Sequence, residues 1–226
     1  IPQGRYLSGT LILKSNIDFH LEKGAVLVSS LNEEDILDFA RLFDDDNACT
    51  GWDGGCFLFA CHEENITISG EGVIYGQGDK VFIDDDVDGG AHECPLSVTA
   101  FRPRTTFLED VTNLTVRDIT IQDAAFWTLH MAGCHHVRVQ DIKILNDVRG
   151  ANNDGIDPDC CKDVLITGCL VKTGDDAIVI KTTKPMTQRY GASENIVISN
   201  CILYSHDSAL KIGTETHGDI RNVILS

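Results

Sequence analysis

The chain has 226 residues, 42% of them hydrophobic, and a formal net charge of −17. That apolar share suffices for one sizeable core and points to a single domain over 1–226. The acidic balance excludes a nucleic-acid backbone as partner, because phosphate binding needs clustered Lys and Arg. No apolar run approaches the ~18 residues that cross a bilayer, so no membrane partner is expected. Nine cysteines cannot all pair and none stands in a CxxC, so no structural zinc site is expected.

In chain order, IPQGRYLSGTLIL already reads as strand and turn, so the natural start is expected upstream and the compartment stays open. The segment 31–56 breaks the strand pattern. Its first part, LNEEDILDFARLF, has the spacing of a short amphipathic helix, and DDDNACTGWDGG follows. A second acidic loop, IDDDVDGGAHEC, covers 83–94. Neither has EF-hand spacing, so both are expected to be solvated insertions.

One phrase recurs between and after them: a polar residue, often Asn, then two short runs of alternating β-branched residues. It appears as NITISGEGVIYG from Asn65, NLTVRDITIQDA from Asn113 and HVRVQDIKILND from His136. It returns as DVLITGCLVKTG from Asp163, NIVISNCILYSH from Asn195 and NVILS from Asn222. From Asn113 onward the phrases follow at nearly regular intervals. The stretch from Asn65 to Asn113 is much longer and has room for two coils.

Period-2 alternation marks half-buried strands, and Asn or Gly at the junctions supplies corners of positive φ. Recurrence of one phrase is the signature of a solenoid. No helical pattern of 10–15 residues separates the strands after Asn113, which argues against a βαβ fold. Hairpins of a β-sandwich would not repeat one phrase in register. The expected class is an all-β parallel β-helix. Cys169 and Cys201, which end ITGC and ISNC, then occupy equivalent inward positions on neighbouring coils. His135 and His136 open a strand and are expected on the surface.

Stacked coils bring matching positions about 4.8 Å apart. NNDGID carries Asp154, and TGDDAIVIK carries Asp175 and Asp176, one coil further on. On one sheet face the three carboxylates share a patch a few ångströms across. Like charges that close push at least one pKa upward, leaving a protonated acid beside ionised carboxylates. Glycoside hydrolysis needs such a pair. A calcium site or a capped turn fits the same spacing, and the residues alone leave those readings open.

At these residues the sequence resembles glycoside hydrolase family 28, the polygalacturonase-like enzymes. NNDGIDPDCCKDVLI is similar to the family's NTDGID segment, and TGDDAIVIK to its paired-aspartate segment, at matching separation. GEGVIYGQG, the N-terminal IPQGRYLSGTLILKSNIDFHLEKGAVL and RPRTTFLEDVTNLTVRDITIQDAAFWTLH extend the likeness over nearly the whole chain. The resemblance implies a right-handed parallel β-helix that hydrolyses pectic, galacturonic-acid-containing chains with inversion, without a cofactor or a metal. It implies Asp175 as general acid, Asp154 and Asp176 as the carboxylates that activate water, and Asn152 as a positioning residue. It also implies an extracellular or periplasmic location.

Two departures stand out. Where the family carries Gly-His-Gly, this chain has SHDSALKIGTET, which puts Ser208 in the place of the His and His206 two positions early. The family's Arg-Ile-Lys, which holds the sugar carboxylate, is expected beyond Ser226, on further coils of a longer protein. Lys211 and Lys181 are the candidate cations within the present sequence. His130 is a candidate cleft residue, and Trp127 is either a sugar platform or a buried coil residue. Two other functions stay in view: a calcium-dependent polysaccharide lyase on the same fold, and a carbohydrate-binding β-helix without turnover. Oligomeric state is left open.

Overall fold

The computed structural model describes residues 1–37 and 55–226. Its strands form three parallel columns, one strand per column in each full coil, so the expected parallel β-helix is what the chain builds. The first column is a seven-stranded sheet running Gly4–Ser8, Ala25–Ser29, Val73–Tyr75, Thr120–Gln122, Lys143–Leu145, Leu170–Thr173 and Ile202–Ser205. The second contains Leu129–Ala132, Ile156–Asp159, Ile178–Thr182 and Leu210–Thr216. The third contains Ile17–Leu21, His135–Gln140, Lys162–Thr167, Ser193–Ser199 and Ile220–Leu225. In the two early coils the second and third strands merge into the long strands Cys56–Gly70 and Arg104–Arg117. Among the described residues, only Phe82–Ile83 and Ser97–Val98 pair antiparallel.

Alternation does what the sequence predicts. The stack Ile66–Leu114–Val137–Val164–Ile196 runs in strict register through the core, and every member is at most 2% exposed. Each buried side chain of this size stabilises the fold by about 1.5–3 kcal/mol. Cys169 lies in the same core, with Cys201 packed against it one coil on.

The polar residue that opens each phrase turns the corner between the second and third columns. Asn16, Asn65, Asn113, His136, Asp163, Asn195 and Asn222 all have φ between 55° and 63°. Asn tolerates this left-handed region because its short side chain bonds locally. Here the amides also bond one another. Asn65 Nδ2 donates to Asn16 Oδ1 at 2.8 Å, and Asn113 Nδ2 to Asn65 Oδ1 at 2.9 Å. Asn222 Nδ2 donates to Asn195 Oδ1 at 3.0 Å.

Two expectations are corrected. The long stretch from Asn65 to Asn113 makes one coil, since Ile66 pairs directly with Leu114. The surplus leaves as an insertion between Tyr75 and Arg104, at the corner between the first and second columns. Residues 31–37 hold only a 3-10 turn, Glu33–Asp35, capped by Asn32 and followed by extended Ile36. The rest of the expected amphipathic helix lies outside the described residues. A seven-residue helix, Lys184–Tyr190, lies among the later coils, shorter than the 10–15 residues a βαβ crossover would need. It is too short to show periodicity; Pro185 in its first turn and Gly191 after its last are its local signals. Among the described residues no helix is long and apolar enough to cross a membrane.

Candidate active site

The aspartates occupy the same corner as the insertion, just before the second-column strands. Leu129 pairs with Ile156, Ile156 with Ile178 and Ile178 with Leu210. Two positions earlier, this register stacks Trp127, Asp154, Asp176 and Ser208. Backbone bonds hold the stack: Thr128 N donates to Asp154 O at 3.0 Å, Gly155 N to Asp176 O at 2.9 Å, and Ala177 N to Ser208 O at 2.8 Å.

Asn153 sets the turn that carries Asp175. Its Oδ1 accepts from Gly174 N at 2.8 Å and Asp175 N at 3.1 Å, while its Nδ2 donates to Asp147 O. Gly174 is required there. A Cβ would run into the Gly150 carbonyl oxygen and amide nitrogen, so any side chain would push the Asp175–Asp176 turn off the preceding coil.

Asp154, Asp175 and Asp176 each place a carboxylate oxygen within 4.8 Å of the others. Asp175 is half-buried and lines a groove of 380 Å³ together with Asn152, His206, Asp207, Arg149 and Glu93. Asp154 and Asp176, at 3% and 2% exposure, do not line the groove; they lie beneath Asp175, within 4.8 Å of its carboxylate. Burial pushes Asp154 up to about 7 against the pull of Lys181, with Asp175 and Asp176 adding to the rise. Burial also raises Asp176, although Lys211 Nζ stands 3.0 Å from its Oδ2.

Three close oxygens can attract a hard cation. Yet Ca²⁺ takes six to eight oxygens, and Lys211 and Lys181, the latter 3.5 Å from Asp154 Oδ2, already bring positive charge into the cluster. The donor set suits proton transfer better than a metal.

The other candidates divide. Asn152 lies on the groove wall at φ 55°, its Oδ1 accepting from Arg102 at 2.8 Å. His206 lines the groove and contacts the Val148 carbonyl through Nδ1 at 3.1 Å. Ser208 stacks above Asp176, and Lys211 bridges Asp176 and Asp207.

His130 is not in the cleft. It is fully buried against the Phe107 and Trp127 rings, with Nε2 3.5 Å from Asp159 Oδ2, and burial lowers it to about 4, so it is neutral. The expectation rests on its place one coil before Asp154; its register instead sets it over Asp157, inside the wall. Lys181 is also corrected: it lies 4% exposed beneath the floor, where it cannot meet a sugar. Trp127 is a buried coil residue, stacked on Phe126.

Sequence reasoning missed Asp157, fully buried behind Asp154, and Arg149. Arg149 straps the 83–94 loop onto the groove through Asp84 at 2.5 Å and the Cys94 carbonyl at 2.8 Å. The signal for Asp157 is present in NNDGID: it alternates with the inward Ile156, a charged group at a strand's outward position beside the candidate site.

Comparison with known proteins identifies the family. The family model of glycosyl hydrolases family 28 matches residues 50–225. A probable polygalacturonase of Vitis vinifera is 27% identical over 235 residues, taking in 99% of this chain but 45% of that protein. An exopolygalacturonase of Oenothera organensis is 31% identical over 113 residues, 50% of this chain and 30% of its own. A hyperthermoactive exopolygalacturonase structure from Thermotoga maritima covers all of this chain and 56% of its own, with TM-score 0.78 and 25% identity. The family 28 exopolygalacturonase structure from Yersinia enterocolitica, at TM-score 0.76 and 22% identity, shows the shared fold. The chain thus spans about half the length or less of these relatives, and by its family match and its fold it belongs to glycosyl hydrolase family 28.

Proposed function

We propose that this chain carries the acid–base centre of a hydrolase acting on glycosidic bonds of galacturonic-acid-containing poly- or oligosaccharides. The observation that carries the reading is the placement of three aspartates, within 4.8 Å of one another, on and under the floor of one groove. Asp175, which faces the groove, protonates the leaving oxygen. Asp154 and Asp176 take the proton of the attacking water. An acid and a base positioned in this way each contribute about 10²–10⁴-fold.

The oxygens are closer than the roughly 6.5–9.5 Å typical of inverting pairs and nearer the about 5–5.5 Å of retaining ones. Depth favours water over direct attack. A nucleophile must come within about 3–3.5 Å of the sugar carbon, and Asp154 and Asp176 are almost covered and held by Lys181 and Lys211. A water can reach such covered oxygens where a sugar ring cannot. Inversion is therefore the stereochemistry this site favours.

The test is release of reducing ends from polygalacturonate, with the first-formed anomer followed by proton NMR and ultraviolet absorbance monitored in parallel. Unsaturated, ultraviolet-absorbing products would establish a lyase, and binding without products a carbohydrate-binding module. Lys211 is poorly suited to act as a lyase base, because Asp176 and Asp207 hold its ammonium at 3.0 and 3.3 Å.

A further inference from the structure

Below the floor lies a layer of charge that touches no substrate. Lys181 Nζ stands 3.1 Å from Glu215 Oε2, 3.5 Å from Asp154 Oδ2 and 3.9 Å from Asp157 Oδ1. The Trp127 ring lies 4.5 Å from the same ammonium and closes its other side. Asp159 pairs with Lys181 in the strand register, which fixes where the side chain starts. Burial works against the lysine's charge, and the carboxyl groups around it more than reverse this, so it stays protonated. A buried ammonium with one carboxylate would be an ordinary ion pair. One shared among three carboxyl groups, of which only Asp154 belongs to the reacting cluster, is an adjustable counter-charge.

We propose that Lys181 is the positioning residue that keeps Asp154 ionised as a base, with Glu215 competing for its charge. The catalytic meaning of this rests on the hydrolase reading above, while the electrostatic claim stands without it.

The remaining groups around Asp154 set the sign. Asp175 and Asp176, from the next coil, oppose its ionisation. Lys211 is spent on Asp176 and Asp207. From the coil before, His130 is neutral, and from two coils before, Arg104 lies across the Trp127 ring, 5.0 Å from its centroid. Burial, and next the negative Asp154, raise Asp157 well above the usual carboxylate range, so it holds its proton and stands beside Asp154 as a neutral acid. That leaves Lys181 as the cation nearest to Asp154 among the described residues.

The experiment is a carboxyl ¹³C NMR titration of the full chain, with the Asp154 signal assigned by its loss in Asp154→Asn. An opposite charge at this range shifts a carboxylate by about 1–3 pH units. Lys181→Met is expected to raise the Asp154 midpoint by that amount, and Lys181→Arg to restore it. Glu215→Gln, at a partly exposed site, is expected to lower it, because a competing and repelling charge has gone. In active protein, the acid limb of the kcat/KM profile is expected to follow the midpoint in each variant. An unchanged midpoint in folded Lys181→Met, or failure of Lys181→Arg to restore it, would overturn the proposal. If Lys181→Met does not fold, an unchanged midpoint in Glu215→Gln would do the same. A wild type that titrates as described but cleaves no pectic substrate would overturn the hydrolase reading alone.

Discussion

Two ladders run along this solenoid, and they obey the same geometry with opposite consequences. At the corner between the second and third columns, Asn16, Asn65 and Asn113 stack side chain on side chain, each Nδ2 meeting the next Oδ1. An amide carries a donor and an acceptor, so repetition satisfies it. At the corner between the first and second columns, Asp154 and Asp176 stack likewise, with Asp175 beside them. An ionised carboxylate only accepts, so repetition leaves it in conflict: Asp154 Oδ1 and Asp176 Oδ1 are buried without a hydrogen-bond partner among the described residues. The conflict is relieved partly by lysines and partly by raised proton affinity. One ladder yields stability. The other yields a carboxyl group, that of Asp154, which exchanges its proton near neutral pH.

The sharpest way to break this contrast is Asp175→Asn, which removes the transferable proton while keeping shape. Reducing-end release is expected to fall by ~10²-fold or more, with the melting temperature held. On the other ladder, Asn113→Ala forces a side chain poorly suited to φ 60° and removes ladder bonds, at an expected cost of about 1–2 kcal/mol in urea unfolding. Asn113→Gly keeps the corner and loses only the bonds, so its cost is expected to be smaller, near ~1 kcal/mol. Equal costs for the two would show that the amide bonds, and not the backbone, make the ladder.

Asp157→Asn separates the two ladders by pH. Because Asp157 binds its proton more tightly folded than unfolded, the wild type loses stability as pH rises above the usual carboxylate range. The variant lacks that loss. Its melting temperature is expected to exceed the wild type's by a margin that opens upward from about pH 4, and a margin independent of pH would refute a protonated Asp157. Smallest of all, Lys14→Ala, at an exposed ion pair with Glu63, is expected to cost at most about 1 kcal/mol.

Much of this could be read without coordinates, because it depends on local rules. Each polar residue that opens a repeated phrase sits at positive φ, and the one-coil offset between Asp154 and the Asp175–Asp176 pair becomes contact across neighbouring turns. What could not be read depends on residues far apart in the chain. Spacing cannot distinguish a coil from an insertion, so the long stretch before Asn113 looks like two coils. The burial of Lys181 depends on Trp127 from an earlier coil and Glu215 from a later one. Distance from Asp154 in sequence points His130 into the cleft, whereas alternation within its own strand decides the face it takes.

The extra residues of the 75–104 insertion leave the solenoid at the corner where the aspartates lie, and Glu93 and Pro95 from that insertion wall the groove. The insertion changes the length of its coil without disturbing the pairing of Ile66 with Leu114. Natural selection can therefore reshape what the groove admits by trading material at this rim, leaving the proton chemistry below as an inheritance that needs no re-invention. The freedom is one-sided. A single residue inserted within Ile156–Asp159 would turn the rest of that strand over, carrying core side chains out and Asp157 in, so the rim is free to diverge while the strand beneath it is not.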